Sequence, residues 1–139
     1  MLATQTLIDQ ALAQIRAGLP ELEVDLFPAA PTSYRLVHPL GAVLLAYPGS
    51  TFGEPRLIGR VEQERILRLG TTLCLRHLWG EHGAAALLDR LRDSLIGWRP
   101  SGSEPVYAVS ERLLQQDGGV WWYGADFAFK SRFALSIRS

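Results

Sequence analysis

Cys74 and the three histidines, His38, His77 and His82, are the residues of this chain best equipped for nucleophilic or metal chemistry. Zinc needs three or four ligands oriented by a second shell. His77 and His82 flank Trp79-Gly80-Glu81 across what reads as a strand-to-helix turn, and no HExxH occurs. His77 therefore reads as closing a strand, and His82 as leading into a helix. A nucleophilic Cys74 would need a base and an electropositive niche. In the middle of an alternating strand, a small thiol reads as a packing residue. No GxSxG elbow is present for a serine triad.

Phosphate and carboxylate chemistry fare no better. Gly49, Gly53 and Gly59 lie in a loop that leads into a strand, and the only lysine in the chain is Lys130. A phosphate loop needs its glycines ahead of a helix that carries a lysine. A metal-dependent nuclease needs converging acids. Glu62 and Glu64 stand two apart, and Asp126 precedes Lys130 by four with Ala128 between. Glu62 and Glu64 read as sharing the polar side of a strand with Arg65 and Arg68. The expectation is a chain with no catalytic residue, no metal and no cofactor.

The elements that position these residues follow from periodicity. Leu7, Ile8, Ala11, Leu12 and Ile15 form a helical stripe, and Gly18 and Pro20 stop it near Ala17. Leu22, Val24 and Leu26 alternate with charge over residues 21–27, a first strand. Residues 28–39 hold three prolines and read as a loop with a short extended piece at Tyr34 to Val37. Gly41 to Tyr47 is a continuous apolar run, short enough for a strand covered on both faces. Residues 48–59, rich in Pro, Gly and Ser, read as a loop.

Val61 to Leu78 admits a helix in its first half. Yet Leu67, Leu69, Thr71, Leu73 and Leu75 alternate with Arg68, Gly70, Thr72, Cys74 and Arg76, which favours one long strand. Leu87, Leu88, Leu91 and Leu95 mark a helix over His82 to Ile96, ended by Gly97 and Pro100.

Pro105 to Phe133 reads as a hairpin. Asp117-Gly118-Gly119 supplies its turn. After it, Tyr123, Ala125, Phe127, Phe129 and Phe133 alternate with Gly124, Asp126, Ala128, Lys130 and Arg132. Trp121 and Trp122 must point to opposite faces, so they cannot both belong to one stacking platform for single-stranded nucleic acid. At least one should be core, and the other is a candidate interface anchor. The order helix, strand, strand, strand, helix, strand, strand predicts an α+β fold, an antiparallel or mixed sheet with two helices on one face.

Composition sets the outer bounds. The 139 residues are read as one domain, 47% hydrophobic and 20% charged. Fourteen basic residues offset fourteen acidic ones. There is no bulk basic excess for nucleic acid. One cysteine excludes an internal disulfide. The N-terminus lacks the charged start and apolar block of a signal peptide. No apolar run approaches the roughly 20 residues that span a bilayer. The reading is a soluble intracellular chain with no membrane partner.

Taken in order, the N-terminal helix, the strand ending TTLCLRHLWG, the helix AAALLDRLRDSLIGWRP and the GGVWWYGADFAF strand after ERLLQQ carry a resemblance. The chain resembles the tail terminator proteins of long-tailed phages, in particular the small Mu-like phage tail family. The resemblance implies an α+β subunit without an active site, assembled as a homo-oligomeric ring, a hexamer. Such a ring ends the growth of the tail tube and offers a surface to the head. Its implied partners are the tube protein, the sheath protein and a head-completion protein. Its implied location is the host cytoplasm during assembly and then the virion tail, in a phage, a prophage remnant or a tailocin.

A ring of this kind needs one patch to meet a different patch on the neighbour. The expected interface residues are Glu62, Glu64, Arg65, Arg68 and Arg76 on the long strand and Asp126, Lys130 and Arg132 on the last. Thr51, Phe52, Glu54 and Arg56 in the Pro48–Gly59 loop are the expected tube contacts, ordering on assembly. Two alternatives stay open: a small binding module or assembly chaperone that forms no ring, and an α+β hydrolase.

Overall fold

The computed structural model describes residues 3–29 and 34–139. Its elements are α1 (Thr4–Gly18), β1 (Glu23–Leu26), β2 (Gly41–Ala46), β3 (Ser50–Phe52), β4 (Arg56–Leu57), β5 (Arg60–Leu75), α2 (Ala84–Leu95), β6 (Tyr107–Asp117) and β7 (Val120–Ser136). The sheet runs β1-β2-β5-β7-β6, and β3 and β4 also pair with β5. β1 lies parallel to β2, and the remaining pairs are antiparallel. The fold is α+β with a mixed sheet, as the periodicity predicts.

Directly opposed residues share a face of the sheet. Leu67 opposes Phe129, Leu69 opposes Phe127, and Leu73 opposes both Val43 and Tyr123. Those odd-numbered side chains join Leu7, Ile15, Leu87, Leu91 and Leu95 from the two helices in one core. Both helices therefore cover the same face. Phe127 and Phe129 are fully enclosed, and truncating either to alanine costs about 3–5 kcal/mol.

The first helix forms because its apolar residues recur at helical spacing, and all five of the predicted stripe are buried. It ends at Gly18, where the Leu19 amide still donates to Ile15 O. The second helix buries Leu87, Leu88, Leu91 and Leu95, with Arg92 in its last turn facing the negative end of the dipole. In the hairpin turn, Gly118 and Gly119 sit at φ of 56° and 80°. Asp117 opposes Val120, the geometry of a two-residue turn that only glycine-like residues enter freely.

One expectation is corrected. The Pro48–Gly59 stretch is not simply a loop: it contains β3 and β4, laid in series after β2 along one edge of β5. Pro48 breaks the ladder, but Gly49 O accepts from Arg68 N and Gly53 N donates to Glu64 O. These bonds leave most of that edge paired. The short piece at Tyr34 to Val37 stays outside the strands of the sheet. Residues 30–33 of the expected proline-rich loop lie outside the described residues.

The segment around Tyr34 covers part of the face opposite the helices. The Tyr34 ring meets Trp122 edge-on at 6.0 Å. Arg76 donates to the carbonyls of Leu36 and His38, and His38 Nδ1 accepts from the amides of Leu40 and Gly41. Ala42, Leu44 and Cys74, all on that face, are buried. His38 thus organises a turn.

Candidate functional site

The charged residues singled out by the sequence fall into separate groups. Glu62 is 5% exposed, and three guanidiniums converge on its carboxylate: Arg60 at 2.8 Å, Arg132 at 3.4 Å and Arg56 at 3.8 Å. Strand pairing brings them together, because Arg56 directly opposes Glu62 and Arg132 lies on the diagonal from β7. Lys130 stands 4.0 Å from Glu64 on the same face. Arg68 shares that face and is exposed. Arg76 is tied to the Leu36 and His38 carbonyls.

Arg65 does not belong with them. It has the parity of Leu67, so it points to the helix face and is only 8% exposed. The expectation that Glu62, Glu64, Arg65 and Arg68 line one polar face is therefore corrected at Arg65. The signal was in the sequence, in the odd position number shared with Leu67 and Leu69. Sequence reasoning also missed its partners. Nε donates to Ser50 Oγ at 3.0 Å, and Nη2 donates to Thr4 Oγ1 at 2.9 Å and to Tyr47 Oη at 3.1 Å. The Tyr47 and Phe52 rings flank the cation at 5.9 and 6.0 Å. Hydrogen bonds, from Ser50 first and then from Arg65, draw the Tyr47 phenol below its ordinary pKa against the effect of burial.

Asp126 faces β6. Its Oδ2 accepts from Arg112 Nη1 at 2.8 Å and from Ser110 Oγ at 3.1 Å. On the helix side, Glu111 pairs with Arg92 of α2. These contacts fasten β6 to the sheet, yet every one of its eleven residues is exposed. Val109 and Leu114 fall at two register shifts, where a bulge bends the strand. Tyr107, Val109, Leu113 and Leu114 stay open to solvent. Among the described residues, β6 borders only β7, so its other edge is unpaired.

The expected tube contacts Thr51, Phe52, Glu54 and Arg56 are all exposed, although β3 and β4 already hold three of them in the sheet. Phe52 packs edge-on against Phe133 at 5.4 Å. Beyond them, Leu57, Ile58, Leu135 and Ile137 make an open apolar tip. Trp121 and Trp122 are both half-buried, on opposite faces, so neither is the fully enclosed core residue expected of one of them.

The residues read for chemistry sit apart. Cys74 is enclosed, and burial, aided by the negative charge of Glu23, pushes its thiol up to about 12. His77 follows β5 and gives its carbonyl to the Ala84 amide, while His82 precedes α2. Among the described residues, no helix is long and apolar enough to cross a membrane.

No curated protein matches the chain. A family model described as Gp37 protein matches it from residue 11 to residue 136. That span takes in the second half of α1, all of α2 and every strand, and it places the chain among phage-related proteins. The chain belongs to the Gp37 family.

Proposed function

We propose that this phage-related protein is a tail terminator subunit: it caps the end of a tail tube as a homo-oligomeric ring, stops polymerisation and presents a surface for head joining. The observation that carries the reading is the long outer edge of β6, which no other described strand covers. Edge strands are usually short, covered, bulged or charged against unwanted pairing; β6 has two bulges and the charges of Glu111 and Arg112, but it is eleven residues long and uncovered. Between Tyr107 and Asp117 there is neither lysine nor proline, and four large apolar side chains are open. Such an edge suits strand addition from a neighbour, which supplies main-chain hydrogen bonds along its length.

A ring closes when the patch that receives differs from the patch that inserts. β6 at one margin of the sheet and the apolar tip of Leu57, Ile58, Leu135 and Ile137 offer two such unlike patches. Glu64, Arg68, Lys130 and Arg132 are available to fix register at the rim. Thr51, Phe52, Glu54 and Arg56 remain the proposed tube contacts. The chain works in the host cytoplasm during assembly and afterwards in the virion tail.

The test is mass and capping together. Light scattering of the full chain, with and without tube protein, should show hexamers, and electron microscopy should show tubes of limited length. A strict monomer that leaves tube length unchanged overturns the terminator reading. A monomer that still binds one tube subunit points to the non-ring chaperone instead.

A further inference from the structure

Residues 34–40 cross the face opposite the helices with an alternating fit. Tyr34, Leu36, His38 and Leu40 are half-buried, and Arg35, Val37 and Pro39 are exposed. Among the described residues, no backbone-to-backbone hydrogen bond ties this segment down. Its hydrogen bonds run through two side chains. Arg76 donates to the Leu36 and His38 carbonyls at 3.1 and 2.9 Å, and His38 Nδ1 accepts from the Leu40 and Gly41 amides at 3.1 and 3.3 Å. The Tyr34 ring adds its edge-on contact with Trp122, but its buried hydroxyl makes no hydrogen bond among the described residues. A segment held by so few bonds opens locally, ahead of the sheet beneath it.

What lies beneath is fixed by register. Cys74 opposes Ala42 on one side and Trp122 on the other, and neither Cys74 nor Ala42 has any exposed surface. One end of the segment is fixed as well. A Cβ on Gly41 would fall 2.7 Å from Cys74 O, so the chain enters β2 in close contact with β5. The bonds at His38 are the ones that can give. Nδ1 accepts from the two amides only while it carries no proton. An imidazolium there would strip both amides of their acceptor and set a second cation beside Arg76, whose Nε donates to His38 O. Among the described residues, His38 forms no ion pair to offset that charge. The other charged groups on this side are Arg35, exposed within the segment, and Glu23 and Asp25 of β1, opposite Ala42 and Leu44. Glu23 acts on the Cys74 thiol, and Asp25 pairs with Arg16.

We propose that residues 34–40 are an acid-released strap: a proton on His38 Nδ1 frees the segment and uncovers Cys74 and Trp122. Imidazole is the side chain whose charge ordinarily changes between about pH 5 and 8, so a mild drop in pH is the trigger. The neutral ring is the form that holds the turn, so the strap is closed at the upper end of that range and opens as pH falls. The Glu21–Arg90 pair is complete above 4.5 and takes no part in this range. The strap stands apart from the β6 edge and does not depend on ring formation.

The experiment measures labelling of Cys74 in the full chain by dithiodipyridine, a disulfide that still reacts in mild acid, from about pH 7.5 to about pH 5. Each rate is divided by that of the chain in denaturant at the same pH, which cancels the change in thiolate. The ratio should rise about tenfold towards the acid end, the loss of two neutral hydrogen bonds. Hydrogen-exchange protection of Leu69 and Phe127, corrected for intrinsic rate, should stay constant, because the sheet itself does not open. His38→Asn, whose side-chain oxygen accepts from the same amides without titrating, should hold the ratio low at every pH, and His38→Ala should hold it high. Should His38→Asn fail to fold, NMR of the wild type decides: the Leu40 and Gly41 amide signals must shift with the His38 ring along one titration curve. A flat ratio, a rise that His38→Asn retains, protection that falls in parallel with it, or amide signals that ignore the His38 ring would overturn the inference.

Discussion

Gly18 and Ser94 lie so close that a Cβ built on Gly18 falls 2.5 Å from Ser94 Cβ. The end of α1 thus rests on the last turn of α2 at a point where only a hydrogen fits. Neighbouring bonds lock the same contact: Gln14 Nε2 donates to Ser94 O, and Arg90 Nη2 donates to Gly18 O. Gly18→Ala should therefore destabilise by about 1–3 kcal/mol, despite the higher helix propensity of alanine. The urea midpoint should fall with the slope unchanged. A midpoint that rises would mean the helices part easily.

Arg90 also reaches Glu21 in a two-pronged pair, at 2.6 and 2.8 Å. The hydrogen bond from Arg90 is the largest cause holding the Glu21 carboxyl down at about 2, against an ordinary 4.5. A lowered folded-state value means that this stabilisation is complete above 4.5. It is lost as pH falls from there towards 2. The pair is about a third exposed, so solvent screening holds its worth to about 1 kcal/mol. Glu21→Gln should lower the melting temperature near neutral pH, and the gap from wild type should narrow as pH falls below 4.5 and close only at about pH 2. A gap that stays constant with pH would remove the ion pair as its cause.

The Cys74 thiol should ignore a disulfide reagent at pH 8 while the chain is folded. Burial is the chief cause that raises it, to about 12, and the residue has no exposed surface. A thiol held protonated and enclosed reacts only when the sheet opens. Complete labelling in denaturant with negligible labelling in buffer is the expected pair of results. Rapid labelling in buffer would show that the segment from Tyr34 to Leu40 lifts from the sheet.

The legible part of this fold was the part set by periodicity. Alternation through Leu67, Leu69, Leu73 and Leu75 gave β5, alternation through Phe127 and Phe129 gave β7, and two leucine stripes gave the helices. What stayed hidden depended on partners distant in sequence. β3 and β4 are strands because β5 supplies the ladder, a condition that Pro48, Gly49, Gly53 and Pro55 disguise. Arg65 and Arg68 look alike as charges three apart. Only their opposite parity on β5 separates an enclosed cation from an exposed one.

The β6 edge also escaped periodicity, because ERLLQQ carries no clean alternation and two register shifts interrupt it. Its exposure makes a direct test possible. Leu113 and Leu114 are about half exposed and stand outside the buried core, so Leu113→Lys with Leu114→Lys should change stability by only about 0.5 kcal/mol per site. Lysines on an edge strand oppose the addition of another strand. The double variant should therefore melt close to wild type yet run as a monomer and leave tubes uncapped. Ala13→Lys, on the outer side of α1, should keep both mass and capping. If the β6 double variant still assembles and caps while folded, strand addition at β6 is not how the subunits join.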